Sequence, residues 1–205
     1  DGYKFAYSYQ KTLEVAQSKV LWLDDYQHTK QYHADIILNQ NCYAQDHENW
    51  YDKRGENTRL LLGTQYTLLR PGVMKGKAKD AIDDVQTILV SLGGGDPENV
   101  TATVLKGLKD VHDVHITVVA GVTNERVKEY KQYAMEMQAT VQVMKNPPNF
   151  TQLMAESDLA ICAGGTTTYE LAHLGIPFLC IITAENQRMV VQKLDDMGVA
   201  RSLGT

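Results

Sequence analysis

The sequence predicts an α/β protein with parallel sheets, and three observations support this. From about residue 86, short runs rich in Val and Ile alternate with segments whose apolar residues recur every three or four positions. The first 72 residues show the same alternation in part, without enough strands for a complete sheet. Two of the short runs end in consecutive glycines, as expected where a strand turns into a helix. Together these patterns predict a doubly wound domain preceded by an incomplete one.

In the first domain, residues 1–72, the pattern predicts one amphipathic helix and three short apolar strands. The helix is expected at residues 7–18, and the strands are expected at residues 19–23, 35–38 and 59–63. A linker is expected at residues 73–85, because the chain from Gly72 to Lys79 is rich in Gly and Lys and poor in large apolar side chains.

The second domain, residues 86–205, is predicted to contain five strands and five helices in alternation. Its strands are nearly continuous apolar runs, which is typical of parallel strands buried on both faces. These strands are expected at residues 87–92, 115–120, 140–144, 158–163 and 177–183. The helices are expected at residues 100–109, 124–138, 150–156, 166–174 and 185–198. Regular alternation of this kind predicts a doubly wound sheet.

The composition is that of an ordinary globular protein and excludes several classes of function. Of 205 residues, 43% are hydrophobic and 22% charged. The net charge of −5 and the absence of a basic stretch exclude nucleic acid as a partner. No apolar run approaches the roughly 20 residues of a membrane helix and no signal peptide is present, so a cytoplasmic protein is expected. Cys42, Cys162 and Cys180 lack metal-ligand spacing, so neither a metal nor a disulfide is expected.

The turn after the fourth strand of the second domain is the most informative feature of the sequence. Gly164 and Gly165 stand between a buried-type strand and a helix that carries Glu170. Unpaired N–H groups and the helix dipole attract anions to a helix start, so a phosphate group fits there. Glu170, on the face of Thr166 and Thr167, is placed to accept hydrogen bonds from ribose hydroxyl groups, which predicts a nucleotide-sugar site. Alternatively, the glycines only form a tight turn and Glu170 complements the helix dipole.

A second glycine-rich turn follows the first strand of the same domain. Gly93, Gly94 and Gly95 are expected at the same edge of the sheet as Gly164, because both turns follow the carboxyl ends of parallel strands. Glycines there allow the backbone to approach a ligand closely. The alternative is a plain strand exit that is capped by Asp96 and Pro97.

Motifs in both domains resemble a known family. They are residues 91–96 (Ser-Leu-Gly-Gly-Gly-Asp), 163–166 with Glu170, 174–177 and 185–187, and in the first domain residues 1–3, 23–25, 35–41 and 61–71. The motifs of the second domain resemble the nucleotide-binding half of glycosyltransferase family 28-type proteins. The complete set, in order along nearly the whole chain, is similar to the UDP-sugar hydrolases of pseudaminic acid biosynthesis.

The resemblance implies a GT-B-type fold, with two Rossmann-like domains on doubly wound parallel sheets, the first of them incomplete. It also implies that the second domain holds the donor nucleotide. Such enzymes begin with a Gly-x-Gly-His-type loop that supplies a catalytic histidine, and this sequence contains no such loop. We therefore expect an N-terminally truncated member that binds UDP with negligible turnover.

The activity implied is attack of water on a UDP-linked 2,4-diacetamido-2,4,6-trideoxy sugar, which releases free sugar and UDP for surface-glycan biosynthesis. No cofactor and no metal is implied, since fixed donors at a helix start can bind the diphosphate. By resemblance, the diphosphate lies at Gly164, Gly165, Thr166 and Thr167, the ribose at Glu170, the backbone of Gly93 and Gly94 against the nucleotide, and Tyr3 and Asn186 beside the sugar as catalytic residues.

Alternatives to these roles and to this activity stay open from the sequence. Asn186 is also suited to cap the helix that follows it. None of the histidines is predicted to be catalytic: His28 and His33 do not match the family's catalytic position, and His173, on the same helix as Glu170, is expected to be a packed or solvated helix residue. The alternatives to a hydrolase are a glycosyltransferase that passes the sugar to another acceptor and a nucleotide-binding module without turnover. Nothing in the sequence predicts an oligomeric state.

Overall fold

The computed structural model describes residues 5–14, 18–76, 78–79 and 84–205. The chain divides into two compact units, Asp1–Leu68 and Leu69–Thr205, here called the first and second units. Each contains a parallel sheet, and in the second unit α-helices connect most of the strands, which confirms the predicted α/β class. The division falls just before the boundary expected at residue 72. The linker expected at residues 73–85 stays a prediction, because residues 77 and 80–83 lie outside the described residues.

The first unit is built on a three-stranded parallel sheet in the order β1-β2-β3. The predicted helix and the three predicted strands are confirmed: the helix and two of the strands are shorter than expected, and the strand expected at residues 35–38 is shifted by one residue. Residues 15–17 of the expected helix lie outside the described residues. Two short 3-10 helices were not predicted. The elements are α1 (Tyr7–Glu14), β1 (Leu21–Leu23), β2 (Ile36–Asn39), a 3-10 helix (Ala44–Tyr51), β3 (Arg59–Leu62) and a 3-10 helix (Thr64–Tyr66).

A buried carboxylate organises the core of the first unit. Asp24 directly follows β1 and is only 3% exposed. It accepts hydrogen bonds from the hydroxyl groups of Tyr32 at 3.0 Å and Tyr51 at 2.9 Å, and from the N–H of Gln27 at 3.2 Å. His28 Nδ1 lies 2.7 Å from its other oxygen. Four donors therefore compensate the buried charge. We call Asp24, His28, Tyr32 and Tyr51 the Asp24 cluster.

The Asp24 cluster changes the acidity of its own tyrosines. Burial, and after it the charge of Asp24, raises the pKa of Tyr32 and of Tyr51 above the ordinary value of 10.0. Both phenols therefore stay protonated and donate to the carboxylate. Tyr51 reaches this position because it ends the 3-10 helix that the sequence analysis did not predict, and Asn39 donates a further hydrogen bond to its hydroxyl oxygen.

The second unit contains a six-stranded parallel sheet in the order β6-β5-β4-β7-β8-β9. The order runs outward from β4 and β7 in both directions, which confirms the predicted doubly wound arrangement. Its elements are α2 (Pro71–Met74), β4 (Thr87–Ser91), α3 (Val100–Gly107), β5 (His115–Ala120), α4 (Val127–Met135), β6 (Thr140–Lys145), α5 (Phe150–Glu156), β7 (Leu159–Ala163), α6 (Thr167–His173), β8 (Phe178–Ile181), a 3-10 turn (Glu185–Gln187), α7 (Arg188–Asp196) and β9 (Arg201–Ser202).

All five predicted strands and all five predicted helices of the second unit are confirmed, with different ends for most of them. The helix expected from residue 124 begins only at Val127, because the Asn124 side chain accepts the N–H of Arg126 and forms a turn first. The helix expected at residues 185–198 is divided into a 3-10 turn and α7. Neither α2 nor β9 was predicted, since each is too short to show a period.

The described ranges contain neither a group of metal-ligating side chains nor a helix that could cross a membrane. Cys42, Cys162 and Cys180 are free thiols, the last two with sulfur atoms 3.9 Å apart on β7 and β8. Within these ranges, no three His, Cys, Asp or Glu side chains are grouped as metal ligands. No helix there combines the length and apolar character needed to cross a membrane.

Asp158 joins the starts of β7 and β4. Its Oδ2 atom accepts the N–H groups of Gln86 at 3.0 Å and Thr87 at 2.9 Å, and Oδ1 lies 2.5 Å from Lys79 Nζ. Burial acts to raise the pKa of this carboxyl, but Lys79 and the backbone donors together outweigh it and lower the pKa from 3.8 to about 2. The folded protein therefore favours the ionised form.

A carboxyl with a lowered pKa stabilises the fold above its unfolded pKa, and this contribution is lost as the pH falls through the folded value. For Asp158 we expect about 2 kcal/mol at pH 7, and about half of that at pH 3. Asp158→Asn should lower the free energy of unfolding accordingly. Urea unfolding followed by far-UV circular dichroism at both pH values measures this. An equal loss at pH 7 and pH 3 would contradict the prediction.

Candidate functional site

The two glycine-rich turns leave neighbouring strands. β4 and β7 are hydrogen-bonded partners, and Ser91 at the end of β4 pairs with Cys162 near the end of β7. Because the strand order runs outward from this pair, β4 and β7 form the switch point of the sheet. Ligands of open α/β sheets bind outside the carboxyl ends of the strands at such a point. We call residues 93–95 the first glycine turn and residues 164–167 the second glycine turn.

The first glycine turn exposes its backbone. Gly93 has a φ of +90°, a conformation that glycine adopts without strain. Gly93 and Gly94 are both exposed, and a Cβ atom built on either residue would meet nothing within 4 Å. The close approach of a ligand that the sequence analysis expects is therefore sterically open at both residues.

A loop after β5, residues 121–126, supports the first glycine turn. A Cβ atom on Gly121 would lie 2.3 Å from the carbonyl oxygen of Gly94 and 2.4 Å from its Cα, so only glycine fits. The Thr123 hydroxyl donates a 2.9 Å hydrogen bond to the same oxygen, and Arg126 donates one of 3.0 Å to the carbonyl of Asp96. The sequence analysis missed this support, although a glycine directly after a predicted strand was the available signal.

Asp96 has the capping role that the alternative explanation of this turn gives it. Its carboxylate is 3% exposed and accepts the N–H groups of Val100 at 2.8 Å and Thr101 at 2.9 Å at the start of α3. The hydroxyl of Tyr130 donates to it at 3.0 Å. Asp96 therefore holds the end of the turn while Gly93 and Gly94 stay accessible. The capped exit and an open glycine turn coexist.

The two glycines of the second turn have different surroundings. A Cβ atom on Gly164 would lie 2.3 Å from Val191 Cγ2 and 3.0 Å from Gln187 Cβ, so Gly164 is required by the close packing of α7. A Cβ atom on Gly165 would meet nothing within 4 Å, and this residue is exposed. Of the pair, Gly165 is the one that a ligand can approach.

The second glycine turn presents unpaired backbone donors. Thr168 donates its N–H at 3.0 Å and its hydroxyl at 2.8 Å to the carbonyl of Gly165, which folds the chain into α6. Among the described residues, no acceptor receives the N–H groups of Thr166 and Thr167. Thr166 is exposed and Thr167 half-buried. Unpaired N–H groups at the amino end of a helix are suited to an anion.

Glu170 lies inside the second unit rather than on its surface. Its side chain is 1% exposed, and Oε2 lies 3.1 Å from Nη2 of Arg70, which precedes α2. In the described residues, neither carboxylate oxygen has a hydrogen bond of ordinary geometry. Burial raises the pKa of this carboxyl, and the Arg70 guanidinium, followed by the Arg70 backbone N–H, offsets part of the rise. The predicted ribose role of Glu170 stays a prediction, and Arg70 was missed.

Of the two predicted catalytic residues, the structure describes Asn186 but not Tyr3. Asn186 is exposed in the 3-10 turn after β8, the strand next to β7. The alternative that it caps the following helix is wrong: Gln187 occupies the cap position, no side chain caps it, and the Gln187 amide instead accepts the N–H and hydroxyl of Thr183. Tyr3 lies outside the described residues, so its role stays a prediction.

A cavity in the first unit contains titratable groups that the site prediction did not include. It has a volume of about 420 Å³ at the carboxyl ends of β1 and β2, and its polar lining includes Asp24, His28 and Gln40. The Asp24 carboxylate already accepts the hydrogen bonds of the other members of the Asp24 cluster. The His28 ring stacks on Trp22, with 5.5 Å between the ring centres. These contacts give His28 a place in the core. The spacing of Asp24 and His28, four residues apart, was the available signal.

Three curated proteins are similar to this chain. MJ1062, an uncharacterised protein of Methanocaldococcus jannaschii, is 28% identical over 190 residues, which are 88% of this chain and 39% of MJ1062. The spore coat polysaccharide biosynthesis protein SpsG of Bacillus subtilis is 29% identical over 152 residues, 72% of this chain and 44% of SpsG. The UDP-2,4-diacetamido-2,4,6-trideoxy-beta-L-altropyranose hydrolase of Campylobacter jejuni is 24% identical over 201 residues, 97% of this chain and 70% of the hydrolase. The chain spans about two fifths of the length of the first two relatives.

Solved structures share the fold. MurG of Acinetobacter baumannii matches with a TM-score of 0.62 and 15% identity, over 100% of this chain and 58% of MurG. The calicheamicin glycosyltransferase CalG4 matches with a TM-score of 0.52 and 15% identity, over 83% of this chain and 40% of CalG4. Both are GT-B glycosyltransferases, so the predicted GT-B-type fold is confirmed. At these identities the likeness concerns the fold alone.

One family model matches the chain. It is described as "Protein of unknown function (DUF354)" and matches residues 86–196. This range covers more than half of the chain, from the residue before β4 to the end of α7. It includes both glycine turns, Glu170 and Asn186.

Proposed function

This chain belongs to the family described as "Protein of unknown function (DUF354)", and from that premise we propose that it is part of a sugar-nucleotide enzyme whose second unit binds a UDP-sugar. The observation that carries the proposal is the pair of glycine turns that leave β4 and β7 side by side at the switch point. The names of two relatives, a polysaccharide biosynthesis protein and a UDP-sugar hydrolase, support the substrate class.

The diphosphate is proposed to lie against the second glycine turn. The N–H groups of Thr166 and Thr167 have no acceptor among the described residues, and Gly165 leaves the space beside them open. The threonine hydroxyl groups add donors, while Gly164 keeps α7 close behind the turn. Gly93 and Gly94 contribute exposed backbone from the neighbouring strand. Fixed donors of this kind stabilise the charge of a diphosphate leaving group without needing to reorganise.

The ribose is proposed to bind Glu170. An ionised carboxylate only accepts hydrogen bonds, and hydroxyl groups of a ribose donate them. Both Glu170 oxygens are buried and neither accepts a hydrogen bond of ordinary geometry in the described residues, although Oε2 forms an ion pair with Arg70. Each oxygen can therefore still accept a hydrogen bond. A buried polar group in this state calls for a partner, and a ribose diol supplies two donors.

The proposed reaction is hydrolysis of a UDP-linked 2,4-diacetamido-2,4,6-trideoxy sugar. Water attacks the anomeric carbon, the bond from that carbon to the phosphate oxygen breaks, and UDP leaves with the electron pair. Asn186 is proposed to orient the water or an acetamido group, because an exposed amide both donates and accepts. Tyr3 is proposed to contact the sugar. Support comes from the hydrolase of Campylobacter jejuni, of which the chain covers 70%.

A glycosyltransferase is the second candidate, and the similarity to SpsG, a polysaccharide biosynthesis protein, favours it. Product analysis separates the two activities. With a UDP-sugar alone, the full-length hydrolase should release free sugar and UDP in equal amounts, whereas a transferase should release neither until an acceptor is added. Affinity for UDP without either reaction in the full-length protein indicates a binding module. A cytoplasmic location stays the expectation from the sequence.

Removal of the Glu170 carboxylate tests the nucleotide site directly. We expect Glu170→Ala to weaken UDP binding roughly tenfold or more, because a hydrogen bond to a charged group is lost. Isothermal titration calorimetry of this chain measures it. The matched control is Glu136→Ala, a change of an exposed glutamate after α4 that should leave UDP affinity unaltered. Equal UDP affinity in the wild type and Glu170→Ala would count against the ribose assignment, and no UDP binding by the wild type would count against the whole proposal.

A further inference from the structure

Arg70 is placed where three helices of the second unit meet. It directly precedes α2, and its carbonyl accepts the N–H groups of Val73 and Met74, which fixes its backbone at the start of that helix. Its guanidinium carbon lies 4.9 Å from the ring centre of Phe150, the first residue of α5. Its Nη2 atom lies 3.1 Å from Oε2 of Glu170 on α6. One side chain therefore contacts both neighbouring helices.

The helix α2 is packed tightly enough to hold Arg70 in this place. A Cβ atom on Gly72 would lie 3.1 Å from Thr151 Cγ2 on α5. A Cβ atom on Gly76, just after α2, would lie 2.5 Å from Leu174 Cδ2 at the end of α6. The segment around α2 therefore lies against α5 at one end and against the end of α6 at the other.

The two side chains of the Arg70–Glu170 ion pair differ in their exposure to solvent. The Glu170 side chain is 1% exposed, whereas that of Arg70 is 45% exposed, so the guanidinium forms the outer side of the pair. The cation–π contact with the Phe150 ring holds the guanidinium beside the carboxylate, where Nη2 forms an ion pair with Oε2. Among the described residues, Arg70 is the only cation paired with Glu170. A buried carboxylate without a cation would favour its protonated form.

An ionised Glu170 is what ribose recognition needs. Only the ionised carboxylate accepts hydrogen bonds at both oxygens, since protonation turns one oxygen into a donor. We propose that Arg70 is a positioning residue of the nucleotide site, whose guanidinium keeps the Glu170 carboxylate ionised and directed for the hydroxyl groups of the ribose. This inference rests on the proposed function, and specifically on the ribose role of Glu170. Arg70 acts through Glu170 and makes no contact with the nucleotide.

The opposing explanation is that the ion pair only ties α2 to α6. A purely structural tie changes the stability of the protein, but it does not change how the site discriminates between nucleotides with and without ribose hydroxyl groups. The readout is therefore the ratio of two dissociation constants, that of 2′,3′-dideoxyuridine diphosphate divided by that of UDP. For the wild-type chain we expect a ratio of roughly ten to one hundred, the value of a hydrogen bond to a charged group.

A double-mutant cycle tests the proposal by calorimetry. Arg70→Met should reduce the ratio to about two, as should Glu170→Gln. The double variant should give the same ratio as Glu170→Gln alone, because Arg70 has no route to the nucleotide except through Glu170. Loss of both partners removes the unpaired buried charge, so the double variant is also suited to fold. The matched control is Arg201→Met, which breaks the ion pair of the exposed Arg201 with the half-buried Asp195 and should leave the ratio unchanged.

The outcomes separate this inference from the proposed function. A wild-type chain that does not bind UDP, or that binds both nucleotides equally, overturns the proposed ribose site and the inference with it. A wild-type ratio above ten that Arg70→Met retains overturns the inference alone. Weaker binding of both nucleotides when Arg70→Met is added to Glu170→Gln also overturns it, because Arg70 then contacts the nucleotide itself. Should Arg70→Met not fold, Arg70→Gln takes its place with the same expected loss, since an amide carries no charge.

Discussion

Replacement of Asp24 by alanine is expected to lower the free energy of unfolding of the first unit by about 3–5 kcal/mol, the largest stability effect that we predict for a single side chain. The change leaves the hydroxyl groups of Tyr32 and Tyr51 and the ring nitrogen of His28 buried without their acceptor. A unit of this size has a total stability of roughly the same magnitude. The first unit of Asp24→Ala should therefore be largely unfolded at 25 °C.

The two tryptophans make this prediction measurable for one unit at a time. The chain contains 2 Trp residues, and both Trp22 and Trp50 pack against the core of the first unit. Urea unfolding followed by tryptophan fluorescence reports on that unit, while circular dichroism is dominated by the larger second unit. Asp52→Ala, a change of an exposed aspartate in the same unit, is the control. The prediction is wrong if the fluorescence midpoints of Asp24→Ala and Asp52→Ala agree.

Replacement of Gly121 by alanine should displace the first glycine turn. The new Cβ atom would lie 2.3 Å from the carbonyl oxygen of Gly94, and backbone atoms cannot rotate out of the way as a flexible side chain does. We expect a stability loss of about 1–3 kcal/mol from the crowding. If the turn contacts the nucleotide as proposed, UDP affinity should fall by roughly tenfold or more, since contacts there depend on the position of the backbone.

Gly107→Ala is the matched control for Gly121→Ala. It is the same substitution, at the end of α3, where a Cβ atom meets nothing within 4 Å. It should leave both stability and UDP affinity close to the wild-type values. Calorimetric titration with UDP and urea unfolding measure the two effects separately. Wild-type UDP affinity in Gly121→Ala would show that the first glycine turn takes no part in nucleotide binding.

The strands and helices could be predicted because their signals are local. The strand His115–Ala120 and the helix Phe150–Glu156 were predicted with the bounds that the structure has, since apolar spacing and flanking turns identify such elements within a dozen residues. The two-residue strand β9 was missed because two residues cannot show a period. The alternative that Asn186 caps the following helix was wrong for a related reason. Whether a chain turns once more before a helix depends on contacts such as those of Gln187 with Thr183.

The glycine turns show where local signals end. From the sequence, Gly164 and Gly165 are equivalent members of one turn. In the structure, the packing of α7 against Gly164 gives that residue a steric role and leaves Gly165 open. Gly121 was missed altogether, because its contact with Gly94 joins loops that follow different strands. Close approaches between distant loops leave no periodic pattern in either loop.

By itself, the sequence determined the parallel α/β architecture, the order of strands and helices, and the positions of both glycine turns, because each of these depends on patterns within a few neighbouring residues. Only the tertiary structure decided the surroundings of the charged groups. Asp24 finds its donors up to 27 residues away along the chain, and Glu170 is paired with Arg70 across a far longer separation. Distant partners such as Tyr51 and Arg70 are chosen by packing and by the need to compensate buried charge, and sequence spacing carries no record of them.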